Sequence, residues 1–347
     1  MTATGTTATP QPRPKPGPWD AVPATPPLGP GGVRRVTAVD VTRPGGFDGP
    51  LVVQVRGRDV RRPGGADPEG GPEAVDEVLD ELRVTLEIEE WSGELVRVEG
   101  TDHPGVQSLV GASVRRGYSR AVAGALADDL SRRTLLGSAF EDLGGALLVS
   151  GYAPLRRGLL TMAPGTGAQV AAGQEDVCVG WAVGRPLVEV LRTEDVNACP
   201  IGPIGPEADD LVPAVSGLDV APPGADAVTR IRTLDVGPPV DGTATVRAHF
   251  RDSYAGDDGP MVMHEYVVHA RVGGVEPTIE QVEVEPRVLP WSDCPGAAAS
   301  AQRVVGMPVA AIAGRARAEL SGNETCTHLT STLRSLTDVA HLLTARP

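Results

Sequence analysis

The sequence predicts an α+β protein arranged as a tandem pseudo-repeat, each unit a small antiparallel sheet followed by two helices. Strand-like segments precede helical ones in both halves without alternating with them, which argues against a doubly wound sheet. Within the strand segments Arg83, Glu87 and Glu89 alternate with Val84, Leu86 and Ile88, the period of a half-buried strand. A series of short matches in the same order then relates the halves. Val33–Val41 resembles Val228–Val236, and Leu109–Val114 resembles Val304–Val309. Asp48 precedes Asp59 by the same distance as Asp241 precedes Asp252, and Asp40 lies as far from Asp235 as Gly111 does from Gly306.

Residues 1–32 are rich in threonine and proline and read as a disordered tail. Residues 33–154 form the first unit. It opens with two strands around the Asp48-Gly49 turn, continues through an acidic, glycine-rich loop at 61–81, and adds the strands Leu82–Glu90 and Glu94–Val98. Helices are expected over 106–126 and 130–148. Residues 155–227 form a connector, with a short hairpin expected from Asp176–Val183 and Pro186–Leu191 around Gly184-Arg185. Proline and glycine stiffen the rest of it, as in Cys199–Pro206. Residues 228–347 form the second unit: strands around Asp241-Gly242, a loop at 253–260, strands over 263–272 and 278–284, and helices over 296–320 and 325–344. Asp48, Asp59, Asp241 and Asp252 are expected at turns and strand ends.

Composition narrows the chemistry. The chain has 347 residues, 31 basic and 45 acidic side chains, and a formal net charge of −14, which disfavours a nucleic-acid partner. Lys15 is the only lysine, so neither a Schiff base nor a P-loop can be built around a lysine further along the chain. With 3% aromatic residues the cores must be aliphatic. No segment approaches the roughly 18 apolar residues that cross a bilayer, and no apolar stretch near the N-terminus resembles a secretory signal. A membrane partner is therefore not expected, and a cytoplasmic location is. The four cysteines are expected as reduced thiols.

The second unit carries residues that the first lacks. Cys294 follows Ser292-Asp293 after the last strand, and Cys326 and His328 lie in Asn323-Glu-Thr-Cys-Thr-His-Leu329 at the start of the last helix. Thiols at helix starts feel the positive end of the dipole, so a depressed pKa and available thiolate are expected. Cys326 and His328, two positions apart, share no helical face and converge only if Cys326 occupies the cap. His264 or His269 on the strand over 263–272 could join them; alternation sends His264 and Tyr266 to one face and Val267 and His269 to the other. The expected metal ligands are Cys294, Cys326, His328 and His264, a set suited to zinc or iron, with Cys326 and His328 as the catalytic pair. Asp102 with His103, and Cys178 with Trp181, read more readily as structural residues.

Asp241-Gly242, Arg251-Asp252, His264, Pro290 before Cys294, Val305-Gly306 and Cys326-Thr-His-Leu329 together resemble a bacterial domain-of-unknown-function family, number 2889. The resemblance covers about 228–343, and Cys178-Val-Gly-Trp181 also looks like that family. Thr325 departs from the small residue usual before the second cysteine, and the first unit lacks both cysteine elements. The family implies an architecture and no reaction. A more distant similarity is to the iron–sulfur scaffold fold, which implies that Cys294, Cys326 and His328 meet at one end of the sheet. The function expected is an enzyme acting on a small organic molecule at this Cys/His site. The alternative is a non-catalytic metal or iron–sulfur carrier, or an interaction protein.

Overall fold

The structure, a computed structural model, describes residues 16–64, 76–159, 166–194, 202–207, 211, 218 and 224–345. Its strands are β1 (Val33–Thr42), β2 (Leu51–Arg61), β3 (Glu77–Ile88), β4 (Leu95–Glu99), β5 (Val228–Val236), β6 (Thr243–Gly256), β7 (Gly259–Gly273) and β8 (Thr278–Val288). Helices and an antiparallel sheet make up the fold, so the α+β class holds. Where the sequence suggests two separate sheets, β1 and β5 pair edge to edge and fuse them into one, in the order β4-β3-β2-β1-β5-β6-β7-β8. The seam removes the two strand edges that would otherwise lie exposed at the centre.

Charge pairs fix the seam's register. Arg34 stands opposite Asp235 and donates to it from Nε at 2.6 Å, while Thr229 stands opposite Asp40 and donates to it at 2.7 Å. Flanking the seam, Arg35 faces Asp59 across β1–β2 and Arg230 faces Asp252 across β5–β6, each as a two-pronged ion pair. The ladder slips one residue beyond each of these aspartates, at Asp59/Val60 and at Asp252/Ser253. Asp241 (φ 51°) and Gly242 (φ 81°) both take the left-handed conformation that a tight Asp-Gly hairpin turn requires.

Helices cover one face of the sheet. In the first half these are α1 (Pro104–Gln107), α2 (Tyr118–Ala125), α3 (Ala127–Arg132) and α4 (Leu135–Ser150). The two helices expected there are broken by Gly117 (φ 73°) and Arg133 (φ 55°); Thr134 then caps α4, accepting from the Gly137 amide at 3.1 Å. Short α5 (Tyr152–Arg156) follows. In the second half the expected first helix splits into a 3-10 helix, Cys294–Val304, and α8 (Val309–Glu319), with Gly306 (φ 81°) and Pro308 between them. The expected last helix becomes α9 (Thr327–Ser335), a 3-10 turn Leu336–Asp338, and α10 (Val339–Thr344). Two aliphatic cores form beneath these layers, one per half.

The halves also lock through ion pairs above the seam. Asp142 on α4 receives Arg230 and Arg232 from β5, and Asp338 receives Arg35 from β1 and Arg133 from the end of α3. Gly145 makes room for this, because a Cβ there would overlap the Arg230 guanidinium.

Two expectations about coil need correction. Residues 1–15 of the expected tail lie outside the described residues, but residues 16–32 pack on the sheet rather than being disordered: Asp20 and Gly17 amides bond to Arg287 and Leu289 carbonyls, and Val22, Thr25 and Leu28 are buried. The connector holds helices in place of the hairpin: α6 (Thr166–Gln174), a 3-10 turn Val179–Trp181, and α7 (Pro186–Glu194). The expected loop at 253–260 is a two-residue turn, since β6 runs to Gly256 and β7 resumes at Gly259; part of the loop at 61–81 lies outside the described residues. Among the described residues no helix is long and apolar enough to cross a membrane.

Candidate functional site

The site lies at one end of the second half's helix-covered face. β6 presents Asp252 and β7 presents His264 directly across from it. His264 Nδ1 comes within 3.4 Å of Asp252 Oδ2 but lacks the alignment of a hydrogen bond. α9 begins at the same level: Cys326 is its cap, in extended conformation (φ −133°, ψ 129°), and His328 lies in its first turn. His328 Nε2 is 3.8 Å from Asp252 Oδ2, and the His264 and His328 rings stack with centroids 3.7 Å apart and planes 18° apart. The ligating atoms of Asp252, His264 and His328 all lie within 4.8 Å of one another.

Buried charge conditions these groups. Burial alone would raise the Asp252 carboxyl, but Arg230, with Oδ1 at 2.8 Å from Nε and Oδ2 at 3.0 Å from Nη2, outweighs it, so the group is a carboxylate. Burial and the neighbouring His264 push His328 well below its ordinary range, leaving a neutral imidazole with a free lone pair. Arg230 also lies 4.8 Å over the Phe250 ring, which sits 5.9 Å from His328 and backs the cluster.

The thiols lie on the same wall. Cys326 Sγ is 3.9 Å from His328 Nδ1, a contact possible because Cys326 takes the cap position. Cys294 opens its 3-10 helix, close enough to the connector that a Cβ on Gly180 would come within 3.2 Å of its sulfur. Both thiols are buried, and Cys178 is half-buried. The expectation of depressed thiol pKa values is overturned. Burial pushes Cys294, Cys326 and Cys178 up, because desolvation of a thiolate outweighs the pull of the helix starts they occupy. The nearby Tyr266 hydroxyl offsets this in part at Cys326.

His264, His328, Cys178, Cys294 and Cys326 border one pocket of about 620 Å³, walled in part by the connector, while Asp252 lies buried behind the two imidazoles. Trp181, Leu187 and Leu191 come from the connector, Met263 from β7, and Leu289 and Trp291 from the chain after β8. The connector is pinned there by the Val179 amide on the Thr325 carbonyl (2.8 Å) and by Arg185 on Asp293 (3.0 Å).

Cys294, Cys326, His328 and His264 thus meet at one pocket, while His269 faces away and pairs with Glu285 at 3.1 Å. His103 pairs with Asp129 (3.3 Å) in the first half, far along the sheet from the pocket. Cys178 and Trp181, read as structural, are pocket walls. Sequence reasoning missed Asp252, placing it with Asp59 at a strand end. Both instead lie inside strands, buried on arginines, and a signal was present in the matched Arg-Asp pairs themselves. Asp48 and Asp241 do lie at turns. Among the described residues the thiols join no group of ligand atoms as close as that of Asp252, His264 and His328.

Residues 228–342 match the model of a family described as a protein of unknown function, DUF2889. No curated protein and no solved structure matches the chain.

Proposed function

We propose that the second half is a small-molecule enzyme whose reactive centre is a divalent metal, zinc or iron, held by Asp252, His264 and His328. The observation that carries this reading is the convergence of one carboxylate and two imidazoles within 4.8 Å, the imidazoles lining a pocket large enough for a substrate. Two histidines and a carboxylate leave coordination positions open, as catalytic zinc and non-haem iron sites do. The protonation states already suit ligation: an ionised carboxylate and a neutral His328. When bound, the ion would polarise a substrate oxygen or lower the pKa of a water. Cys326 would join only as a thiolate, its proton released to solvent as the cation took its place, with Cys294 farther along the same wall.

A second reading is metal-free acid–base catalysis, with His264 as base and Asp252 as its orienting carboxylate. It draws on Arg230, which occupies both Asp252 oxygens, and on the stacking of the two rings.

Metal analysis and zinc or cobalt titration of the purified protein separate the two. The metal reading expects one ion per chain, with Asp252→Asn, His264→Ala and His328→Ala each weakening binding at least about 10-fold and Cys294→Ser leaving it within threefold. Absence of saturable binding below about 1 mM, or binding indifferent to all three substitutions, overturns it.

We also read the halves as a pseudo-repeat with a degenerate first copy. The matched Arg35–Asp59 and Arg230–Asp252 pairs and the shared ladder slips support this. Asp80 occupies, across from Asp59, the place that His264 occupies across from Asp252. With free thiols and no expected membrane partner, the proposed place of work is the cytoplasm.

A further inference from the structure

The geometry points to the class of molecule the pocket takes: an uncharged, predominantly apolar small molecule carrying a single polar group. The inference deepens the proposed reading, since the polar group would face His264 and His328, but its physical basis is separate.

That basis is where the charge is placed. Arginine supplies 30 of the 31 basic side chains, Lys15 the other, and the fold sets arginine against most of its buried carboxylates. Arg35, Arg43, Arg230 and Arg251 all answer buried acids. The small cavity between α4 and α9, by contrast, is lined by Arg35, Arg133, Arg232 and Arg334, all of them already committed to carboxylates or a seryl hydroxyl. The large pocket is built the opposite way. Among its described lining residues there is no arginine, lysine, aspartate or glutamate. Its walls are mainly apolar, with Trp181, Leu187, Leu191, Met263, Leu289 and Trp291 among them; His264, Thr327 and His328 form a polar end, and Gln174 and Tyr152 are the other uncharged polar side chains of the lining.

A carboxylate or phosphate placed among those walls, away from the histidine end, would lose its hydration with no counter-charge to replace it. Nucleotides, acyl-coenzyme A, phosphorylated sugars and dicarboxylates, with charges far from any single anchoring point, are therefore excluded as a class. A phenol, alcohol or ketone on a hydrocarbon frame matches both ends: the apolar walls gain from its burial, and one oxygen meets the histidine end.

The test uses the full chain and N-phenyl-1-naphthylamine, an uncharged fluorophore, displaced by 2-naphthol or by 2-naphthoate at pH 7, in chelator-treated and in zinc-loaded protein. The expected result is saturable probe binding in the chelator-treated protein, with naphthol displacing it at least tenfold more effectively than naphthoate. Val177 lines the pocket yet is 42% exposed, so substitutions there spare the core. Val177→Asp should weaken probe binding with an unchanged circular dichroism spectrum, and Val177→Arg should raise naphthoate affinity. Equal displacement by naphthoate, no probe binding, or binding indifferent to Val177→Asp overturns the inference. If the probe binds as described while zinc does not bind, the metal reading fails alone. If zinc binds and the probe does not, this inference fails alone.

Discussion

The imidazoles of His264 and His328 lie face to face, 3.7 Å between centroids, with Asp252 at the edge of both. The stack and the ligand set can be separated. His264→Phe keeps a flat ring against His328 but offers no lone pair, whereas His264→Ala removes both. We expect both variants to lose metal binding, and the alanine variant to be less stable than the phenylalanine variant by about 1 kcal/mol. Metal titration and urea denaturation read the two effects. Metal binding retained by His264→Phe would remove His264 from the ligand set.

Arg230 holds Asp252 and Asp142 together, Arg230 and Asp252 being buried and Asp142 nearly so. Removing one member of a buried ion network strands the others, at a cost of roughly 3–5 kcal/mol. Arg230→Ala should therefore lower the urea midpoint strongly, and Arg230→Lys should recover little, because an ammonium cannot reach the carboxylates in a two-pronged fork. A loss under about 1 kcal/mol would mean that water reaches the network.

Buried neutral thiols are slow nucleophiles. In a Cys199→Ser background, Cys294 and Cys326 should react with a disulfide reagent at pH 8 at least about 10-fold more slowly than free cysteine, and at the free rate in urea. Half-buried Cys178 should react first. Fast native reaction of Cys326 would restore the thiolate expected from its helix start.

On the opposite face of the sheet, His249 is fully buried and 2.6 Å from Glu265, which also receives Arg251 and the Val22 amide. Burial outweighs Glu265 and lowers the His249 pKa, so the folded protein keeps this ring neutral. Above the unfolded value near 6.5 the two states bind equal protons there. Below it the unfolded chain takes up a proton that the folded one refuses, and stability falls by up to about 1.4 kcal/mol per pH unit. His249→Gln should accordingly be less acid-sensitive than wild type between pH 7.5 and 5.5. Urea titrations at the two pH values measure the difference, and parallel losses would exclude His249 as a source.

What could be read from residues alone followed the range of the forces involved. The Asp241-Gly242 turn, the shared face of His264 and Tyr266, and the meeting of Cys326 with His328 at a cap are local geometry, and local patterns carry them. The connector misled because Val177, Val179, Trp181 and Val183 alternate like a strand, while the helices beside them are held by packing of Leu187, Val188 and Leu191 on Ala171. The thiols misled because the dipole of a helix start is written in the sequence and depth of burial is not. Asp252 was hidden for a related reason: its role depends on what stands opposite it, and register across strands emerges only when the sheet is assembled.

The seam between β1 and β5 sets what can be cut away. Residues 228–345 expressed alone would bare the β5 edge and leave Arg230 and Arg232 without Asp142. If the halves are repeats, a second copy of the same segment offers a remedy, since its own β5 supplies an edge and its Asp338, which receives Arg35 as Asp142 receives Arg230, would take the place of Asp142. Such a fragment should elute as a dimer in sedimentation or size-exclusion experiments, and never as a folded monomer. On the proposed reading of the halves as repeats, the first half serves the second as a built-in subunit: an oligomer's contact made permanent by a covalent tether, free of any dependence on concentration.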